Sequence, residues 1–283
     1  MVDSSIRPLI PFPVLLIEER SERTLVVADL HIGWEISLVD KGIHIPSQIT
    51  RIQKKLLQVI EASKPERIIF LGDLKQAIPR ISFEEWKSVP EFLEAVQKHV
   101  SDVSVVLGNH DGELEPLTPR SVKIFPSGGI VVGKEERFGL FHGHAWPSPK
   151  VLEREVLVMG HIHPILLFRD TLSVWTMGQV WVKAKCDPHR LAKAYLKYLN
   201  VKATSAPEKT LREKLGIELK EATLIIMPAF NDLVGGVSIN RLERRLIGPM
   251  LGSGSVRLND AELYLLDGTY VGAVKQLQMH SGD

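Results

Sequence analysis

The stretch Val103-Ser104-Val105-Val106-Leu107-Gly108-Asn109-His110-Asp111 decides the fold. Val103 to Leu107 reads as a buried strand with one polar interruption. Gly108 is expected to end that strand and let the backbone turn sharply. An amide, an imidazole and a carboxylate then leave the strand's carboxyl end together, where open α/β sheets hold their ligands. Three consecutive polar residues behind a buried strand are costly unless water, a metal or a substrate satisfies them. Taken alone, the segment reads equally well as a plain polar turn.

Four other segments repeat the layout of apolar strand and ligand-bearing turn. Leu25 to Ala28 leads to Asp29-Leu30-His31, and Arg67 to Leu71 leads to Gly72-Asp73. Gly139 to Phe141 leads to His142-Gly143-His144, and Val156 to Met159 leads to Gly160-His161-Ile162-His163. Five such turns built from Asp, Asn and His point to a metal site rather than to packing.

Composition sets few limits. The 283 residues are 44% hydrophobic and 24% charged, with 35 basic and 34 acidic side chains for a net charge of +1. That is an ordinary globular composition, and the overall charge neither requires nor excludes a nucleic-acid partner. The lone cysteine, Cys186, rules out an intrachain disulfide. The start, Met1 to Ser5, carries an acid and no apolar run of signal-peptide length, and no stretch approaches the roughly 20 apolar residues of a membrane span. The expectation is a cytoplasmic protein with no membrane association.

Working outward, Pro13 to Glu18 and Thr24 to Ala28 read as strands joined by the polar turn Glu19 to Arg23. A loop from Gly33 to Pro46 carries Trp34, Glu35 and His44, residues suited to a substrate groove or to loop filling. Ile49, Ile52, Leu56, Val59 and Ile60 share one face of a helix over about Ser47 to Ala62. The strand Ile68 to Leu71 completes a βαβ unit of a parallel sheet. Leu74 to Arg80 reads as a loop. Ser82 to His99 is helical in pattern, with Pro90 expected to divide or kink it. From Val122 onward short strands follow quickly, at Val122–Phe125, Gly129–Val132, Phe138–Phe141, Val156–Met159, Ile165–Phe168 and Leu172–Lys183. Polar turns at Lys134 to Arg137 and Arg169 to Thr171 separate several of them. They imply a second, largely antiparallel or mixed sheet packed on the first.

A polar helical excursion covers about 186–220, and Lys183 to Lys220 carries a net +6. It reads as a solvated excursion or as a basic face for phosphate backbones. An apolar run, Ala222 to Met227, then leads into a glycine-bearing loop, Pro228 to Gly236. A short helix is expected over Ile239 to Ile247. A hairpin of Ala261–Leu266 and Thr269–Val274 turns on Asp267-Gly268.

The ligand types constrain the chemistry. Mixed carboxylate, amide and imidazole donors suit manganese, iron, zinc or cobalt better than magnesium or calcium. There are too many donors for one ion, and the two oxygens of Asp73 can serve two ions. Two ions sharing a hydroxide can clamp a phosphate during in-line displacement, leaving His110 to protonate the departing oxygen.

The ordered series Asp29-x-His31, Gly72-Asp73, Gly108-Asn109-His110-Asp111, His142-Gly143-His144 and Gly160-His161-x-His163 resembles the calcineurin-like metallophosphoesterase superfamily. The opening Ala28 to Glu35 is closer to an archaeal branch related to the SbcD nuclease subunit, and is similar to bacterial ligase-associated phosphoesterases of the DNA-damage response. Met227-Pro228-Ala229-Phe230-Asn231 with Gly235-Gly236 extends that similarity towards the C-terminus. The resemblance implies one domain over 1–283, an α/β four-layer αββα sandwich of two mixed sheets flanked by helices. It implies one ion on Asp29, His31, Asp73 and His163, and a second on Asp73, Asn109, His142 and His161. Manganese is the first choice, with iron, zinc or cobalt as alternatives.

His110 would be the acid. His144 matches a second histidine, either supporting a ligand or touching phosphate. Many members carry Asp or His where this chain has Gln76, which cannot raise a histidine's basicity as a carboxylate does. Asp111 is the candidate substitute. The implied activity is a two-metal phosphodiesterase, with a nuclease on DNA or RNA as one form of it. The alternatives are a phosphomonoesterase or nucleotide phosphatase on the same site, and a binding scaffold without turnover.

Overall fold

The computed structural model describes residues 4–19, 22–39, 42–133, 137–169, 175–202, 205–241 and 247–278. The tip of the first hairpin, most of the expected turns at 134–137 and 169–171, the start of the strand from Leu172 and the middle of the helix expected over Ile239 to Ile247 lie outside them.

The first sheet takes strands β1 (Ser5–Pro8), β2 (Val14–Glu19), β3 (Glu22–Val27), β4 (Arg67–Leu71), β5 (Asp102–Val106) and β6 (Lys123–Phe125), in that spatial order. β1, β2 and β3 pair antiparallel. From β3 to β6 all pairings are parallel. β6 therefore belongs to the first sheet, not to the second as its place among the later short strands implied. A three-residue strand at a sheet edge carries too little pattern to declare its partner.

Alternation along the central strands sets the layers. Ile68 and Phe70 face outward with Leu25, Val27, Val103 and Val105, where they pack on α2 (Ile49–Ser63) and α3 (Phe83–Gln97). Ile69 and Leu71 face inward with Val26, Ala28 and Val106. The loop before α2 contains one short helix, α1 (Ile36–Val39). α3 runs unbroken through Pro90. A proline inside a helix costs about 3 kcal/mol. Val89, Phe92, Leu93 and Val96 are all fully buried, and each such burial contributes about 1.5–3 kcal/mol. Packing outweighs the local break.

The second sheet has the order β14-β13-β11-β12-β9-β8-β7. Its strands are β7 (Ile130–Val132), β8 (Phe138–Leu140), β9 (Val156–Met159), β11 (Trp175–Lys185), β12 (Thr223–Ile226), β13 (Glu262–Leu265) and β14 (Tyr270–Ala273). β10 (Ile165–Arg169) pairs with β11 off this path. Pairing is parallel at β8–β9 and β9–β12 and antiparallel elsewhere, so the sheet is mixed.

The short helix α4 (Pro149–Leu152) precedes β9. α5 (Pro188–Tyr198) and α6 (Pro207–Leu215) cover the sheet's outer face through Leu191, Tyr195, Leu196 and Leu211. Two four-residue helices, α7 (Pro249–Gly252) and α8 (Val274–Leu277), flank the last strands. Between the sheets, Leu15, Ile69 and Val106 of the first meet Leu140, Val158 and Trp181 of the second. The result is a helix–sheet–sheet–helix sandwich, two mixed sheets flanked by helices. No helix among the described residues is long and apolar enough to cross a membrane.

Candidate metal centre

The ligand-bearing turns all leave the carboxyl ends of parallel strands: β3, β4 and β5 in one sheet, β8 and β9 in the other. Because the sheets face each other, these ends converge. Asp29, His31, Asp73 and His163 each place one donor atom within 4.8 Å of the others, and Asp73, His142 and His161 do the same. Asp73 belongs to both groups. Nε2 of His31 and Nε2 of His163 stand 3.2 Å apart. Nε2 of His142 lies 3.3 Å from Asp73 Oδ2. Asn109 joins the second group, with Oδ1 3.2 Å from His142 Nε2.

The backbone is bent to make this meeting. Asp29, His31, Asp73, His161 and His163 all have positive φ, between 45° and 74°, and they are five of the eight non-glycine residues with that sign among the described residues. Such conformations cost of order 1–3 kcal/mol each and persist only where the surroundings fix them. Here the turns bind one another. Asp29 N–H donates to Gly72 O at 3.2 Å, His31 N–H to Asp73 O at 2.9 Å, and Phe230 N–H to Ala28 O at 2.9 Å. Side chains add to this: His110 N–H donates to Asp73 Oδ1 at 2.8 Å and His161 N–H to Asp29 Oδ2 at 3.1 Å.

Gly108 does not have a positive φ. Its lack of a side chain matters for a different reason from the expected sharp turn: a Cβ there would sit 2.2 Å from Asp73 Oδ1. Gly72 and Gly160 back onto ligands in the same way, with a Cβ falling 2.1 Å from His142 Nδ1 and 2.5 Å from Asp29 Oδ2.

Three imidazoles are aimed by main-chain carbonyls. Nδ1 of His142 donates to Leu71 O at 2.9 Å, Nδ1 of His163 to Gly235 O at 2.7 Å, and Nδ1 of His110 to Gln76 O at 2.6 Å. A carbonyl only accepts, so each ring carries a proton on Nδ1 and leaves Nε2 as the nitrogen that can hold an ion or a second proton. The Pro228 to Gly236 loop thus reaches the site through the Gly235 carbonyl. Asn231 pins that loop, its Nδ2 donating to Leu30 O at 3.1 Å.

The electrostatics favour a donor set ready for cations. Burial opposes ionisation of Asp29 and Asp73, but the neighbouring histidines hold both below the usual carboxylate range. Burial, aided by histidine neighbours, pushes His31 and His161 down to about 4, leaving them neutral and able to ligate. Burial opposes a charge on His142, but contact with Asp73 outweighs it and raises the ring to about 9, so an ion at its Nε2 would take the place of a proton. Both ring nitrogens of His161 and Nδ1 of His31 are buried without a hydrogen-bond partner. Buried donors left open in this way, beside two ionised carboxylates, fit divalent ions with mixed nitrogen and oxygen preference.

The remaining candidates fall at different distances from this centre. His110 lies against His31, ring centroids 4.9 Å apart. His144 is 5.3 Å from His142 and 6.1 Å from His161, centroid to centroid. Gln76 contributes its carbonyl to His110.

Asp111 does not back His110. Its Oδ1 accepts from Leu74 N–H at 2.8 Å and its Oδ2 from Gly108 N–H at 2.8 Å, tying the two turns together. Burial and the charge of Asp73 push its carboxyl up to about 6. Glu35 is likewise turned inward, accepting from Gln48 N–H at 2.9 Å ahead of α2.

One buried carboxylate was not among the candidates. Glu85 is fully buried. Its Oε2 accepts from Ser82 N–H at 2.8 Å in a capping box. Its Oε1 accepts from Gln76 N–H at 2.9 Å and Ala77 N–H at 2.7 Å. It therefore fixes the segment whose carbonyl aims His110. The motif Ser82-x-x-Glu85 was the available signal.

Fold and donor set together define a phosphoester hydrolase that works with divalent metal. Residues 22–203 match the calcineurin-like phosphoesterase family, well over half of the chain. The chain belongs to that family. It is 24% identical over 139 residues to the phosphodiesterase YfcE of Escherichia coli strain K12, covering 48% of this chain and 75% of that protein. The solved structure of Pseudomonas putida nuclease MPE superposes with a TM-score of 0.54 at 18% identity, covering 94% of this chain and 98% of that one. At that identity the likeness concerns the fold.

Proposed function

We propose that this chain is a two-metal phosphodiesterase whose substrates are polynucleotides. The observation that carries the reading is the sharing of Asp73 between two donor groups, because one carboxylate serving two ions is what a paired-metal site requires. Asp29, His31, Asp73 and His163 would hold one ion, and Asp73, Asn109, His142 and His161 the other. Manganese is the preferred metal. When bound, such ions supply positive charge for the phosphoryl oxygens and lower the pKa of water.

The chain's own residues do the rest. His110 keeps Nδ1–H on the Gln76 carbonyl, so Nε2 is the nitrogen that takes up a second proton and, from the imidazolium form, gives it to the departing oxygen, leaving the neutral ring. His144, beside the second group, contacts the phosphate or steadies a ligand. The polynucleotide substrate draws on the P. putida nuclease as a neighbour in fold. The SbcD-related branch is supported by Ala28 to Glu35 and by Met227 to Gly236, the latter reaching His163 through Gly235.

The test is hydrolysis of bis-nitrophenyl phosphate beside nitrophenyl phosphate, using chelated protein reloaded with Mn²⁺. Faster diester turnover is expected. Faster monoester turnover would replace this reading with a phosphatase, and no turnover of either would favour a scaffold.

A further inference from the structure

The basic excursion does not carry its acidic residues evenly. In α6, Lys209 pairs with Glu213 at 3.7 Å, and Glu208 faces His189 at 3.1 Å. α5 contains no acidic residue. Its inner face buries Leu191, Ala192, Tyr195 and Leu196. Arg190, Lys193 and Lys197 lie on the exposed face at helical spacing. Lys193 and Lys197 have no ion-pair or hydrogen-bond partner among the described residues. Arg190 is held loosely, 4.0 Å from Asp187 and 3.4 Å from the Gly254 carbonyl.

These three cations line a groove of about 870 Å³ together with Trp146, Tyr198, Gly248 and Pro249. The rings of Trp146 and Tyr198 are 5.7 Å apart and tilted by 32°. Tyr198 is 55% exposed and also lies 5.7 Å from the ring of Tyr195. One lining residue, Gly248, lies next to the metal centre. A Cβ on Gly248 would lie 2.4 Å from the Gly143 carbonyl, between the two turn histidines, and 3.7 Å from Cδ2 of His161.

Three cations spaced over about 10 Å of helix, a rise of 1.5 Å per residue, two of them without a partner among the described residues, suit a run of backbone phosphates. An exposed aromatic beside them suits a base lifted out of a stack. A duplex keeps its bases paired and offers no such face. Resting on the diesterase reading, we infer that this groove is the substrate track: it holds a single strand of nucleic acid leading from the scissile phosphate, with Arg190, Lys193 and Lys197 on phosphates and a base on Tyr198. These are positioning residues and take no part in the bond-breaking step.

The test has two arms on the full, Mn²⁺-loaded chain. The first is anisotropy of a short fluorescein-labelled phosphorothioate oligothymidylate, which reports binding whether or not the protein turns over. The K193E/K197E double variant is expected to weaken binding at least about tenfold and to flatten the log Kd against log salt slope by about 0.7 per lost contact. Tyr198→Ala is expected to cost about fivefold or more, with Tyr198→Phe restoring it. Binding in the variants equal to wild type, or a duplex bound as tightly as the single strand, overturns the inference.

The second arm compares cleavage of the unmodified oligonucleotide with that of bis-nitrophenyl phosphate. The double variant should raise KM for the oligonucleotide more than it lowers kcat, so that the ratio of the two kcat/KM values falls about tenfold. An unaltered ratio overturns the inference even where diester turnover stands. Absent diester turnover with variant-sensitive binding would instead sink the diesterase reading and keep the groove.

Discussion

In the metal centre, the rings of His142, His163 and His110 are each aimed by a main-chain carbonyl. Along α5, Lys193 and Lys197 are guided only by their own flexible stems. The first region is buried, bent into costly backbone and cross-tied between turns. The second is exposed and built from side chains on an ordinary amphipathic helix. The contrast separates two tasks. Chemistry on phosphorus needs donors held to fractions of an ångström, whereas a charged chain passing by needs only positive potential and a surface to rest on.

The comparison can be broken most severely at the shared carboxylate. Asp73→Asn should lower diester hydrolysis by about 10³-fold or more and reduce metal binding measured by calorimetry. Retained turnover would mean that the two donor groups do not act together. Next is Gly108→Ala. The added Cβ meets Asp73 Oδ1 at 2.2 Å, so the ligand or the strand end must move. A destabilisation of at least about 2 kcal/mol is expected, read as a fall in Tm of roughly 4 °C or more, together with weaker metal binding. A variant as stable and as active as wild type would show that the turn has slack.

Glu85→Gln probes the aim of His110. An amide has one acceptor oxygen in place of two, so either Ser82 N–H or both Gln76 N–H and Ala77 N–H lose their partner. A fall of about 10- to 100-fold in kcat is expected, with circular dichroism showing α3 intact. Unaltered kcat would mean that the Gln76 carbonyl holds His110 without that support. The smallest effect is expected at Cys186, whose thiol burial pushes up to about 12. Because the group stays protonated far above neutral pH, iodoacetamide at pH 8 should leave it unmodified in the folded protein and alkylate it in guanidinium. Rapid modification under native conditions would show that the core beneath α5 opens.

The donors were legible because their signal is local. Each sits within four residues of an apolar strand end, and strand alternation places Ile69 and Leu71 on the face that meets the second sheet. What escaped depends on distant partners. The part played by Asp111 follows from the position of Leu74 and Gly108 relative to each other, which no short window reveals. Gly108 looked like a hinge and is a spacer, because the crowding atom belongs to Asp73. β6 looked like part of the second sheet because its three residues carry no directional pattern. The excursion over 186–220 was legible as basic and helical. That Lys193 and Lys197 line a groove, and that Trp146 stands beside Tyr198, arises only when residues some fifty positions apart are brought together. Of the two outcomes expected at Pro90, division does not occur, because four buried neighbours offset a local cost that is easier to read than they are.

The use of carbonyls to aim the three imidazoles alters where this protein is vulnerable to mutation. An acceptor that belongs to the main chain cannot be deleted by any single substitution, so the orientation of His142, His163 and His110 is shielded from most sequence drift around them. Fragility is displaced to residues that shape the backbone and touch no substrate: Glu85 beneath Gln76, Asn231 within the loop of Gly235, and the glycines that let the turns close. A survey of inactivating substitutions in this protein should therefore find many of them one layer below the ligands, at positions that a list of catalytic residues would pass over.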